Sequence, residues 1–195
     1  MEITAAMVKE LRSQSGAGIM ECKSALKETQ GDLEEAITFL RKKGLAKADK
    51  KSDRQTSEGV IGSYIHQGSK VGVMLELNCE TDFVANTPDF QTLVKDIAMH
   101  IAAAKPRFAT REEVTEVILE KERDIFAHQA KESGKPENII EKIVTGKMEK
   151  FYEENCVLEQ PFIKDTNVTI GELIKQKIAL LGENINIGQF SRFEI

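Results

Sequence analysis

Near residue 59 the hydrophobic period of this sequence changes from that of a helix to that of a strand. Val71, Val73, Leu75 and Leu77 alternate with Gly72, Met74, Glu76 and Asn78. Such alternation buries one face of an extended chain and leaves the other partly wet. GVIGSYIHQ, just before it, reads as a partner strand. Gly68-Ser69 between them suits a two-residue hairpin loop with glycine first, so the two strands must pair antiparallel. The closing INIGQFSRFEI is expected to join the same sheet. The rest of the periodic sequence is helical. The expected class is therefore α+β, a core of helices packed on a small antiparallel sheet.

The first 45 residues parse as a module of three short helices. Thr4 caps a helix with Met7, Val8 and Leu11 on one stripe, and SGAG (15–18) breaks it. A second helix points Cys22, Ala25 and Leu26 inward, and Gly31 stops it. Asp32 and Glu35 form a capping box for a third, which carries Leu33, Ala36, Ile37 and Leu40. Gly44 suits the position just past its end. Residues 46–57 read as a charged linker or solvated helix tail, because KADKKSDRQTS holds Ala48 as its one apolar residue. A basic partner-binding stretch is the alternative. Residues 58–195 form the α+β core domain.

Four helices are expected within that core. Thr87-Pro88 starts one with Phe90, Leu93, Val94, Ile97, Ala98 and Ile101 on its stripe, and Lys105-Pro106 ends it. Thr110 and Glu113 box the start of the next, with Val114, Val117, Ile118 and Ile125, which stops near Gly134. Pro136 opens a third with Ile140, Ile143, Val144, Met148, Phe151 and Tyr152. Thr169 and Glu172 cap the last, with Leu173, Ile174, Ile178 and Leu181 inward and Gly182 at its end.

The bulk numbers narrow the function. A net charge of −5 speaks against nucleic acid as a direct partner. Aromatics are 6% of the chain and Trp is absent, which leaves little for base stacking. No apolar run approaches the ~20 residues that span a bilayer, and the N-terminus has no secretory pattern, so a cytoplasmic location is expected. Cys22, Cys79 and Cys156 fit buried thiols rather than a disulfide framework. His66, His100 and His128 share no ligand spacing with cysteines or carboxylates, so no metal is expected. SGAGIM lacks the preceding strand and the Lys-Ser/Thr ending of a phosphate loop. With no motif for an active site or cofactor, the balance moves toward a binding protein that is not an enzyme.

Two features exceed what a packed core requires. Ile19-Met20 are adjacent apolar residues at the start of a helix, and neighbours on a helix point about 100° apart. They are core residues or an apolar contact for a partner. The second is TDFVAN (81–86). Thr81 can cap a single helical turn with Asp82 in its first position, where the helix end favours an anion. Such a turn could bury Phe83 or hold it out.

EITAAMVKELRSQSGAGIMECKSALKETQGDLEEAITFLRKKG, NCETDFVAN, KPENIIEKIVTGKMEKFYEENCVLEQPFIKD and GENINIGQFSRFEI together resemble the bacterial translation elongation factor Ts family. The similarity runs in order along nearly the whole chain. It implies a guanine-nucleotide exchange factor for elongation factor Tu, with an N-terminal ubiquitin-associated-like module. Carried onto matching positions, the module would contact the GTPase through Leu11, Ile19 and Met20. Thr81, Asp82, Phe83 and Val84 would perturb its magnesium site. The chain has room for one sheet-containing core, like the short form of the family, and this motivates a homodimer. The competing function is a ubiquitin-associated-like adaptor acting through residues 1–45 alone.

Overall fold

A computed structural model describes residues 3–132 and 136–195. In chain order the elements are α1 (Ala5–Ser15), α2 (Ile19–Glu28), α3 (Leu33–Asp49), β1 (Glu58–Ile65), β2 (Val71–Cys79), α4 (Asp82–Ala85), α5 (Pro88–Ala104), α6 (Glu116–Glu132), α7 (Glu137–Asn155), β3 (Pro161–Phe162), β4 (Asp165–Thr169), α8 (Ile170–Leu181) and β5 (Ile185–Glu194). The mixture is the α+β arrangement expected. One sheet has the order β1-β2-β5 and a second pairs β3 with β4. The amide of Ile195 donates to the carbonyl of Lys70, and Gln189 bonds Glu76. The end of β5 thus lies beside the start of β2, and the pair is antiparallel.

The chain packs into two compact units. One comprises residues 1–60, 77–93 and 172–186; the other comprises 61–76, 94–171 and 187–195.

In the first unit, the caps anticipated from sequence form. The Thr4 hydroxyl accepts from the Met7 amide and the Asp32 carboxylate from the Glu35 amide. Leu11, Cys22, Ala25, Leu26 and Ala36 close the core of the three-helix module, with Met7, Val8, Leu33, Ile37 and Leu40 packed against them. Each large apolar side chain so buried contributes roughly 1.5–3 kcal/mol. Gly44 does not end α3, which continues to Asp49. A Cβ at Gly44 would stand 3.3 Å from the Cβ of Ala179, so this glycine lets α3 approach α8. Ala48, in the expected linker, is buried. Ion pairs Arg41–Glu172 and Asp49–Lys175, and the Lys51 amine on the carbonyl of Gly182, tie the same helix to α8.

In the second unit, Val73 and Leu75 of β2 and Val94, Ile97, Ala98 and Ile101 of α5 are buried. The hairpin loop is longer than two residues. His66 donates to Val71, enclosing Gln67, Gly68, Ser69 and Lys70, with positive φ at both Gly68 and Ser69. The start expected at Thr110 is also displaced. Residues 111–113 form a single 3-10 turn, Thr110 makes no side-chain cap, and α6 begins at Glu116. Val117 consequently points to solvent, and Phe126 packs with Val114, Phe151 and Cys156 in its stead. The stop expected near Gly134 lies outside the described residues. The short β3–β4 hairpin has no clear alternation and went unforeseen. One face of β1, β2 and β5 is left uncovered within this unit, with Ile61, Ile65, Met74 and Phe193 exposed.

Candidate functional site

The site is built on a turn too short to hold itself. α4 has four residues, and of these only Ala85 is buried. An isolated helix of that length is unstable in water, because its first turn fixes several dihedrals for one hydrogen bond. Local and distant bonds supply what is missing. The Thr81 hydroxyl faces the Val84 amide at 3.4 Å, and the Ala85 amide donates to the Thr81 carbonyl at 3.2 Å. The exit is closed by the Asn86 side chain on the carbonyl of Asp82 and the Thr87 hydroxyl on that of Val84, both at 2.8 Å. Gln91 reaches back from α5 to the Ala85 carbonyl at 2.8 Å.

Cys79 braces the entry by donating its thiol to the Thr81 carbonyl at 3.1 Å. Burial, and then the charge of Glu183, push this thiol up from its ordinary range, so it stays a protonated donor. Glu183 itself accepts from the Thr81 amide at 3.0 Å and from its hydroxyl at 2.6 Å.

On this support Phe83 is 82% exposed. Asp82 is exposed beside it, while Val84 is half-buried and anchors the turn. Of the two positions open to Phe83 from the sequence, the structure takes the projecting one.

The same unit presents Ile19 and Met20, which are 55% and 75% exposed at the start of α2. Leu11 is different. It was carried over as a partner contact, yet its side chain is wholly buried in the three-helix core. Its stripe with Met7 and Val8 faces inward, so in this structure Leu11 supports the core of the module and presents no surface to a partner. Glu183 was missed by sequence reasoning; the only signal was an acid after the helix-ending Gly182.

Among the described residues, no group of three or more His, Cys, Asp or Glu side chains is placed to hold a metal ion. None of the described helices is long and apolar enough to cross a membrane. What the geometry builds is a set of apolar side chains held out on braced supports, the makings of a protein-interaction surface.

The family model described as Elongation factor TS matches residues 1–195. Elongation factor Ts of Fervidobacterium nodosum is 60% identical over 195 residues, spanning 100% of this chain and 99% of the relative. That of Solibacter usitatus is 58% identical over 194 residues, spanning 100% and 92%. That of Geotalea uraniireducens is 57% identical over 195 residues, spanning 100% and 90%. The chain belongs to the elongation factor Ts family, whose members act in translation elongation.

Proposed function

We propose that this chain is the guanine-nucleotide exchange factor of elongation factor Tu, and that it acts by binding, without covalent chemistry, in the cytoplasm. The observation that carries the reading is Phe83, a large apolar ring held out in water on a short turn that polar bonds from Thr81, Asn86, Thr87, Gln91 and Glu183 fix in place. GDP with its magnesium leaves a GTPase slowly because many charge-assisted contacts must break together. A partner that prefers the nucleotide-free shape weakens GDP, and GDP weakens the partner by the same factor. Equal affinity for both shapes would shift nothing. Burying the Phe83 ring in the GTPase is worth roughly 1.5–3 kcal/mol, available only in the distorted state. Asp82 acts beside it through hydrogen bonds to the partner, since a single carboxylate is a poor magnesium site. Thr81 and Val84 hold the turn, and Ile19 and Met20 give a second apolar contact.

Phe83→Ala is expected to slow GDP release from elongation factor Tu by roughly 10–100-fold, the equivalent of that burial. Stopped-flow release of a fluorescent GDP measures it; a rate equal to that of the unmodified chain would end the wedge reading.

We propose that the chain pairs with a second copy of itself through an exposed sheet face. Ile61, Ile65, Met74 and Phe193 make an exposed apolar sheet face of the kind that self-associates by a two-fold axis. Light scattering should return twice the chain mass. A monomeric mass together with full exchange activity would refute the pair.

A further inference from the structure

The brace on the Phe83 turn comes from far away in sequence. Glu183 lies 102 positions beyond Thr81, and its carboxylate takes both hydrogens that Thr81 can offer. Two bonds to one residue fix its side-chain rotamer and its backbone together. Thr81 is the cap of α4, so both bonds bear directly on where α4 points.

The next residue extends the contact into a node. Asn184 is buried; its amide donates to Glu80 at 2.6 Å, and its side chain donates to the carbonyls of Ser52 at 3.0 Å and Arg54 at 2.8 Å. Arg54 pairs with Glu80 at 3.4 Å. Three stretches of chain therefore meet here: the one after α3, the end of β2 and the end of α8. The stretch after α3 leads back into the module that carries Ile19 and Met20, where Lys47 of α3 pairs with Glu21 of α2. The node thus links, through bonded residues, the Phe83 turn to the stretch that leads back to the module carrying Ile19 and Met20.

We propose that Glu183 is the positioning residue of the Phe83 turn. It sets the direction of the ring before a partner arrives, so that ordering the turn is not charged against the encounter. This rests on the exchange reading for its functional consequence, but not for its structural one.

The chain has no tryptophan, so Phe83→Trp creates a single reporter whose time-resolved anisotropy reads the turn in the free protein. Adding Glu183→Ala should raise the fast, local part of the depolarisation. Glu183→Gln, which keeps one acceptor oxygen, should fall between. With Phe83 intact, Glu183→Ala should lower the maximal GDP-release rate by roughly 3–10-fold, the cost of ordering one side chain and its turn on binding. The half-saturating concentration should move less, because Ile19 and Met20 are untouched. The double variant Glu183→Ala with Phe83→Ala should be no slower than Phe83→Ala alone.

Additive losses in the double variant, or unchanged anisotropy in Glu183→Ala, would overturn the assignment. Should the alanine variant fail to fold, Glu183→Gln carries the same two readings. If the unmodified chain does not speed GDP release, it is the exchange reading that falls, and the anisotropy alone then decides the role of Glu183.

Discussion

Phe83 and Phe90 stand on consecutive helices, yet one is 82% exposed and the other 0%. α5 is held by burial. Its stripe of Phe90, Leu93, Val94, Ile97, Ala98 and Ile101 is apolar at helical spacing and goes wholly or nearly so inside. α4 has no such stripe, and polar bonds from Thr81, Asn86, Thr87, Gln91 and Glu183 hold it. A helix held by its own apolar face must spend that face on the fold. A helix held by its ends and backbone leaves its side chains free for another protein.

The contrast breaks most sharply at Phe90. Phe90→Ala should cost about 3–5 kcal/mol through lost burial and the cavity left behind, seen as a lower urea midpoint. If the loss were small, burial would not be what holds α5.

A second test concerns His100, also on α5 and wholly buried. Its Nε2 faces the Gln160 carbonyl oxygen at 2.9 Å, and the Gln160 amide donates to Glu154 at 2.7 Å, so Nε2 carries the hydrogen. Nδ1 has no hydrogen-bond partner. Burial pushes this imidazole below its ordinary 6.5, against the opposing bond to Gln160. The folded state therefore binds the proton less readily than the unfolded one. Stability is full above the unfolded pKa of about 6.5 and is lost as pH falls below it, by at most ~1.4 kcal/mol per pH unit until the folded group also titrates. Urea unfolding across that range should show the slope, and His100→Gln should remove its share.

The smallest effect is the most diagnostic. Phe83→Ala should change unfolding free energy by no more than about 0.5 kcal/mol, as for surface positions generally, while slowing GDP release. A large stability loss would mean that the ring belongs to its own fold.

Much of this was legible where a polar cap stands before an apolar stripe. Thr4, Asp32, Thr81 and Thr87-Pro88 announced their helices because a side-chain oxygen before a run of free amides has few other uses. Glycine misled for a physical reason: Gly44 serves close helix approach and has the same sequence appearance as a stop. Thr110 and Glu113 had capping-box spacing, but Glu113 bonds the Ala109 amide at 2.8 Å and the chain makes only a 3-10 turn before α6. At the site, Thr81 and the one-turn helix could be read locally. The exposure of Phe83 could not, since phenylalanine alone favours the core. Leu11 could have been placed, because its stripe already faced inward. Glu183 was out of reach: a clamp spanning 102 positions leaves no local pattern.

That span has a consequence for how the protein comes into being. At a synthesis rate of about 5–20 residues per second, Thr81 is made some 5–20 s before Glu183, 102 positions further on. During that interval the three-helix module can already be folded while the ring beside it has no fixed bearing. A chain cut short between α5 and the end of α8 would keep Ile19, Met20 and Phe83 but lack the clamp. The bearing of the Phe83 ring is therefore among the last features of the fold to be fixed, at the close of the chain's own translation.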